Sequence, residues 1–327
     1  MFSRLYGDKE VRALFTDSAE VRAMLLVEGL LAKVQGEMGI IPLDSALFIH
    51  RASMEVQIDP AGLADGMGSA AVPVPALVEA FRKAMEAPQH SQYIHWGATS
   101  QDIIDTALIL RLRQYVGILD ARLGALIAVL KAKATENRDV VMAARTRSQM
   151  ATPTTFGAKI AGWISPLQRH RTRLAELQER LLVVSLAGAS GNYTALGNKG
   201  QAVEAALAEA LKLSVTQTPW HSARDNLAEI ASVISLITGS LGKMGQDLIL
   251  LMQTEVAEVS AGVGGGSSTM PHKSNPVSAE VLVTMAQHNA NLVGQMHQAM
   301  LHSNERDGVA WSLEWLALPQ MCIASGV

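Results

Sequence analysis

Proline limits how this chain can fold more than any other residue, because an interior proline removes a helix hydrogen bond and drives its ring into the preceding turn. The eleven prolines of the 327-residue chain leave residues 89–152, 167–218, 220–270 and 277–318 free of them. At the rise of an α-helix, a helix of about 35 residues in such a gap would reach roughly 50 Å. Hydrophobic spacing supports helices there and near the N-terminus. "RAMLLVEGLLAKVQGEMG" puts Met24, Val27, Leu30, Leu31, Val34 and Met38 on one face. The segment from Asp102 to Lys133 repeats the pattern with Ile104, Leu108, Leu112, Tyr115, Leu119, Leu126 and Leu130, and Thr99 or Ser100 is placed to cap it. A third helix is expected over 223–259, where no charge occurs between Ile230 and Leu241.

The chain is 49% hydrophobic but only 4% aromatic, so its apolar mass suits packed helices better than a sandwich or barrel. No stretch reads as a strand ladder. The expectation is an all-α protein built on a bundle of long antiparallel helices. Residues 1–92, with "IDPAGLADGMGSAAVPVP" towards their end, read as a smaller N-terminal helical domain. Residues 93–327 read as the central long-helix domain, carrying a glycine-rich loop at 262–276.

With 27 Lys+Arg against 30 Asp+Glu there is no global charge to attract nucleic acid, and small-molecule or protein partners are expected instead. Cys322 is the single cysteine, which excludes an intrachain disulfide or a cysteine metal cluster. The N-terminal "MFSRLYGDKEVRAL" carries charge where a signal peptide needs an apolar core, and the uncharged run 281–304 is too polar to span a bilayer. A cytoplasmic protein with no membrane partner is expected.

Three polar islands interrupt the apolar pattern. "HWGATSQDIIDTA", residues 95–107, is either a capped helix start or a binding element. "ARTRSQMATP", residues 144–153, reads as a turn before a Thr-Pro helix start, solvated or holding an anion. "GSSTMPHKSNP", residues 266–276, follows "GVGGG"; Pro271 and Pro276 stiffen one side of a loop whose other side stays free. The residue order departs from a phosphate-binding GxxxxGK[ST] loop, and His272 has no partner at metal-ligand spacing, so no metal is expected.

"GSSTMPHKSNP" closely resembles the signature loop of the fumarase/aspartase superfamily, which includes argininosuccinate and adenylosuccinate lyases. "HWGATSQDIIDTA" is similar to that superfamily's Thr-Ser-x-Asp region, and "ARTRSQMATP" stands where its members have Arg-Thr-His. The start of the chain, "PWHSARDNLAEI" and "EWLALPQM" look most like its bacterial carboxymuconate cycloisomerase branch.

The resemblance implies a three-domain, mostly helical fold assembled as a homotetramer, with active sites shared between subunits. It implies cofactor-free chemistry on a small anionic substrate. A bond beta to a carboxylate is made or broken through an aci-carboxylate intermediate, here the closure of a carboxylated or sulfonated muconate to a lactone. Carried over residue by residue, Ser267 is the proton-transfer serine, Lys273 steadies its alkoxide, and His95 matches a catalytic histidine of adenylosuccinate lyases. Thr99, Ser100, Gln101, Arg145, Thr146, Arg147, His272, Asn275 and Glu280 bind or frame the substrate. Arg147 replaces the lyases' histidine; a guanidinium does not titrate usefully but suits a carboxylate or sulfonate. That departure argues against the alternative of a fumarate-releasing lyase and for a highly anionic substrate, while the intact Ser267, Lys273 and Asn275 argue against a second alternative, a catalytically silent crystallin-like protein. Asn192, where a threonine is expected, opens a second question of specificity. "CIASGV" ends short of where cycloisomerases end, which implies a further terminal segment.

Overall fold

The proline-free stretches are helices, and their ends are set by side chains that the sequence supplies locally. The computed structural model describes residues 4–260, 265–266, 269–270 and 272–327. The N-terminal part comprises α1 (Lys9–Ala13), α2 (Asp17–Glu37), α3 (Leu43–Glu55), α4 (Ala64–Ala70), α5 (Val74–Met85) and α6 (Pro88–Ser91). The long α7 (Ser100–Glu136) leads to a hairpin of β1 (Val141–Thr146) and β2 (Gln149–Thr155), and α8 (Phe156–Leu181) returns antiparallel to α7. There follow α9 (Gly200–Leu211), α10 (Asp225–Leu251), the two-residue strands β3 (Gly265–Gly266) and β4 (Ser274–Asn275), α11 (Val277–Gln298) and α12 (Gly308–Gly326).

Capping explains several of these boundaries. Thr16 accepts from the Ala19 amide at the start of α2, and Asp307 accepts from the Val309 and Ala310 amides at the start of α12. At the head of α7 the Asp102 carboxylate reaches back to the Thr99 amide at 2.9 Å.

Two apolar clusters form the interior. One joins α7 from Leu108 onward to α8, α10, α11 and α12; the other joins α2, α3 and α5 to the first turns of α7 and to α9. Every residue from Gln101 to Leu112 is buried, so α7 is enclosed on all sides where it passes between the two clusters. By composition α10 is long and apolar enough to cross a membrane, but 56% of its apolar window is buried inside the protein. It packs closely on α11: a Cβ on Gly245 would stand 2.6 Å from the Ala279 carbonyl, so only glycine permits that approach.

Two expectations need correction. The region 141–155 is a β-hairpin, not a turn leading into a helix at Pro153. Thr146 faces Gln149, so Arg147 and Ser148 form the two-residue turn, both at positive φ (49° and 65°). Such turns usually carry Asn-Gly or Asp-Gly, and Arg-Ser conceals the signal. Pro153 lies in β2, one of the two exposed edges of a two-stranded sheet, and α8 starts later with Thr155 accepting from the Ala158 amide at 3.1 Å. In addition, Pro166 and Pro319 lie inside α8 and α12. Around Pro166 the carbonyl deprived of its partner is that of Gly162, an exposed residue that water can reach.

A buried charge cluster fastens the two clusters together. Arg224, just before α10, donates to both oxygens of Asp105 on α7 (2.6 and 3.0 Å) and both of Glu314 on α12 (2.8 and 2.6 Å). Burial works against its charge, but the two carboxylates outweigh that and hold the guanidinium firmly protonated. Replacing Glu314 with Ala is therefore expected to cost about 3–5 kcal/mol, since it leaves a buried charge half-compensated. Urea unfolding followed by circular dichroism measures this; a midpoint equal to that of the parent chain would show the cluster to be dispensable.

Candidate active site

The first polar island folds into a buried hydrogen-bonded scaffold at the head of α7. Asp102 is fully buried and accepts four hydrogen bonds: from the amides of Thr99, Ala187 and Gly188, each at 2.9 Å, and from His221 Nε2 at 2.7 Å. A carboxylate only accepts, so the His221 proton sits on Nε2. Gln101, also fully buried, donates to the His221 carbonyl at 2.8 Å and accepts from Arg306 Nε at 3.0 Å. Its amide is thus spent at both ends as a strut, whereas Thr99 and Ser100 beside it are half-buried and reachable. The loop after Ala187 is drawn against the Trp96–Gly97 turn. Gly97 has φ 74°, and a Cβ there would stand 2.5 Å from Leu196. Asn192 uses its side-chain oxygen within this loop, accepting from Thr194.

His95 lies four residues before Thr99, next to this scaffold. Its backbone is in the left-handed region (φ 65°), an uncommon state for a residue with a Cβ, which costs energy that the surrounding contacts must offset. Its Nδ1 lies 2.7 Å from Glu28 Oε1, while the imidazole keeps 21% of its surface exposed. Burial lowers the imidazole pKa, but the charge and hydrogen bond of Glu28, helped by Asp102, outweigh it and hold the group above its ordinary value. The second oxygen of Glu28 is buried with no partner among the described residues, so this carboxylate relies on His95. A partly exposed imidazole whose pKa is raised by a buried carboxylate is a candidate proton donor held in one orientation.

The other predicted residues lie at the opposite end of the molecule. The 37 residues of α7 span about 55 Å, and the hairpin bearing Arg145, Thr146 and Arg147 follows its far end. Arg224 anchors the start of α10 beside Asp105 near the head of α7, so the segment directly after α10, up to the start of α11, also falls at the far end. Arg145 confirms this by pairing with both oxygens of Glu258 (2.7 and 3.0 Å). Thr146 and Arg147 are exposed at the hairpin tip. His272 and Lys273 are exposed, Asn275 pairs with Gly265 across β3 and β4, and Glu280 is exposed in the first turn of α11. Ser267 lies outside the described residues.

One chain therefore brings His95, Thr99, Ser100 and Gln101 together, and gathers the basic hairpin and signature loop at a separate end. Sequence reading missed Glu28, Asp102, His221 and Arg306 as parts of the first group. Glu28 was a clue in plain view, a charge inside the apolar stripe of α2. His221 and Arg306 stand 119 and 205 residues from their partners, and no local pattern marks them.

A protein-family profile described as a lyase matches residues 12–290. The chain is 42% identical to 3-carboxy-cis,cis-muconate cycloisomerase of Pseudomonas aeruginosa, over 98% of its own length and 71% of that protein. It is 42% identical to the enzyme of the same name from Pseudomonas putida, over 98% of its own length and 78% of that protein. The crystal structure of the 3-carboxy-cis,cis-muconate lactonizing enzyme from Pseudomonas putida superposes with a TM-score of 0.94 at 40% identity, covering all of this chain and 74% of that one.

Glu28→Gln removes the charge that supports the imidazolium, so His95 is expected to titrate at lower pH in that variant by histidine NMR. A raised folded-state pKa also means that the pair stabilises the fold fully below about pH 6.5. That stabilisation is lost as the pH rises through the His95 pKa. An unchanged titration curve in Glu28→Gln would rule out the coupling.

Proposed function

The chain belongs to this lyase family, and on that premise we propose that it is a cycloisomerase that closes 3-carboxy-cis,cis-muconate to a muconolactone. The observation that carries this reading is the likeness to the two Pseudomonas enzymes of that activity along nearly the whole chain. A cytoplasmic location accords with that role.

In the reaction, a carboxylate oxygen of the substrate adds to a double bond and forms the ring C–O bond. The displaced π electrons pass to the carbon alpha to another carboxylate, as an aci-carboxylate, and a proton then arrives at that carbon. Atoms and charge balance with no change of oxidation state. Lys273 and Asn275 hold the activating carboxylate and its extra charge; Arg145, Thr146 and Arg147 hold a second anionic group; Thr99 and Ser100 hydrogen-bond substrate oxygens, and Gln101 keeps them in place. Ser267 delivers the proton, steadied as alkoxide by Lys273 and by amides of its loop. His95, its pKa raised by Glu28, replenishes it.

These groups converge only when chains assemble. Helices of about 40–55 Å separate the His95 end from the end with the hairpin and the signature loop. In an antiparallel arrangement the hairpin end of one copy meets the His95 end of another, in keeping with the homotetramer with shared sites that the family resemblance implies. Arg147 in the hairpin turn favours a substrate with several acidic groups, and a sulfonate fits a guanidinium as well as a carboxylate does.

Loss of diene absorbance with 3-carboxy-cis,cis-muconate and 3-sulfomuconate, compared on one enzyme preparation, tests the reaction. Turnover of the carboxylated compound is expected. Silence on both, with fumarate released from a succinyl adduct, would move the chain to the lyases. Ser267→Ala is expected to abolish turnover, by about 10³-fold or more, while the assembly stays intact by light scattering.

Mixing two inactive chains tests the shared site. His95→Ala and Arg147→Ala chains, unfolded and refolded together, are expected to regain part of the activity because some sites then receive both intact residues. Activity no higher than in the separate variants would mean that each site is built within one chain.

A further inference from the structure

A cavity of about 610 Å³ lies away from the candidate active site, between α2, the Pro60–Leu63 turn with α4, the buried part of α7, and α12. That volume falls in the range of small-molecule pockets. Its walls are mostly apolar, with Met24, Leu63, Leu108 and Leu318 among them, and none of His95, Thr99, Ser100, Gln101, Asp102, His221 or Arg306 lines it. Glu314 does line it, but both of its oxygens are held by Arg224.

Two hydrogen-bond donors in the lining are incompletely used. Trp315 Nε1 is buried and finds no acceptor among the described residues. Arg111, only 6% exposed, gives Nε to the Ala107 carbonyl at 3.3 Å, while its terminal nitrogens make no hydrogen bond among the described residues. Their ion pair with Glu20 is 3.5 Å long, and Glu20 keeps a third of its side chain in water, so it can yield that place. A buried donor left without an acceptor costs free energy that a ligand can restore.

We propose that this cavity is a second binding site, for a small monocarboxylate with an apolar body. The carboxylate takes the guanidinium of Arg111 and the indole N–H of Trp315, and the hydrocarbon part lies against the leucine and methionine walls. Each feature excludes a neighbouring class. Asp17 and Glu20 also line the cavity, so the anion belongs on its Arg111 and Trp315 side; a plain hydrocarbon leaves the buried indole N–H unsatisfied, and a di- or tricarboxylate must bury charge against apolar walls or near those two carboxylates. The proposal is independent of the reaction assigned to the other site.

Isothermal titration of the chain with benzoate, and with benzyl alcohol as its uncharged counterpart, tests it. Saturable binding of one benzoate per chain is expected, with benzyl alcohol at least about tenfold weaker. Arg111→Met is expected to weaken benzoate about tenfold or more, and Trp315→Phe, which keeps a ring but loses the N–H, about fivefold. Glu20→Gln removes the competing carboxylate and is expected to tighten it. Arg306→Ala, altered only at the candidate active site, is expected to bind benzoate with the parent Kd.

Three results would overturn the proposal: no saturable binding at about 1 mM benzoate, an affinity too low for a site of this burial; equal affinity in parent, Trp315→Phe and Arg111→Met; or loss of binding in Arg306→Ala. Should Arg111→Met fail to fold, as judged by its helical circular dichroism, Trp315→Phe and Glu20→Gln decide by their opposite signs.

Discussion

Arg224 is the tie on which the rest of the structure depends. Three segments far apart in sequence meet at its guanidinium: Asp105 from α7, Glu314 from α12, and the residue itself at the start of α10. The Trp220 ring lies 4.8 Å from the guanidinium, and Trp311 Nε1 donates to Asp105 at 3.2 Å, so the cluster is enclosed by aromatic rings. Removing such charges from water is expensive, and the bidentate geometry on both sides is what offsets that cost. The gain is positional. Asp102 lies one turn before Asp105 on the same helix and His221 lies three residues before Arg224, so the network that joins the helices also sets the Asp102–His221 contact and, through Gln101, Arg306.

The length of the helices then decides where chemistry can occur. An α-helix of 37 residues is a rigid spacer, and residues at its two ends cannot serve one substrate within the same chain. The buried first half of α7 carries the polar scaffold, and its far half leads only to a two-stranded hairpin with a basic tip. Division of this kind makes assembly a condition of activity in the proposed reaction. The cavity beside Arg111 and Trp315 stands apart from the proposed chemistry, since none of the residues assigned to that chemistry lines it.

Much of this architecture was legible residue by residue. The α2, α7 and α10 helices follow from apolar spacing in stretches without proline, and Thr99 was recognisable as the cap of α7. Two local signals misled in opposite directions. Arg147-Ser148 makes a turn that normally advertises itself with glycine, so the hairpin went unseen. Pro166 and Pro319 look like helix ends yet lie within helices, because packing of the flanking apolar faces outweighs one missing hydrogen bond. In the site, the hydroxyl and basic residues were visible as polar islands, but their division between two ends was not.

By itself the sequence determined the helical class, the long-helix lengths, and the inventory of groups available for proton transfer and anion binding, since these depend on residue type and spacing within a few turns. Only the tertiary structure decided that Gln101 is a strut and Thr99 and Ser100 the reachable groups, that Glu28 raises the pKa of His95, and that Asp102 is held by His221. It alone separated the basic hairpin from the His95 end. The physical reason is that burial, pKa and hydrogen-bond satisfaction belong to pairs of groups. Those pairs lie from 67 to 205 residues apart here and come into contact only when the helices have packed.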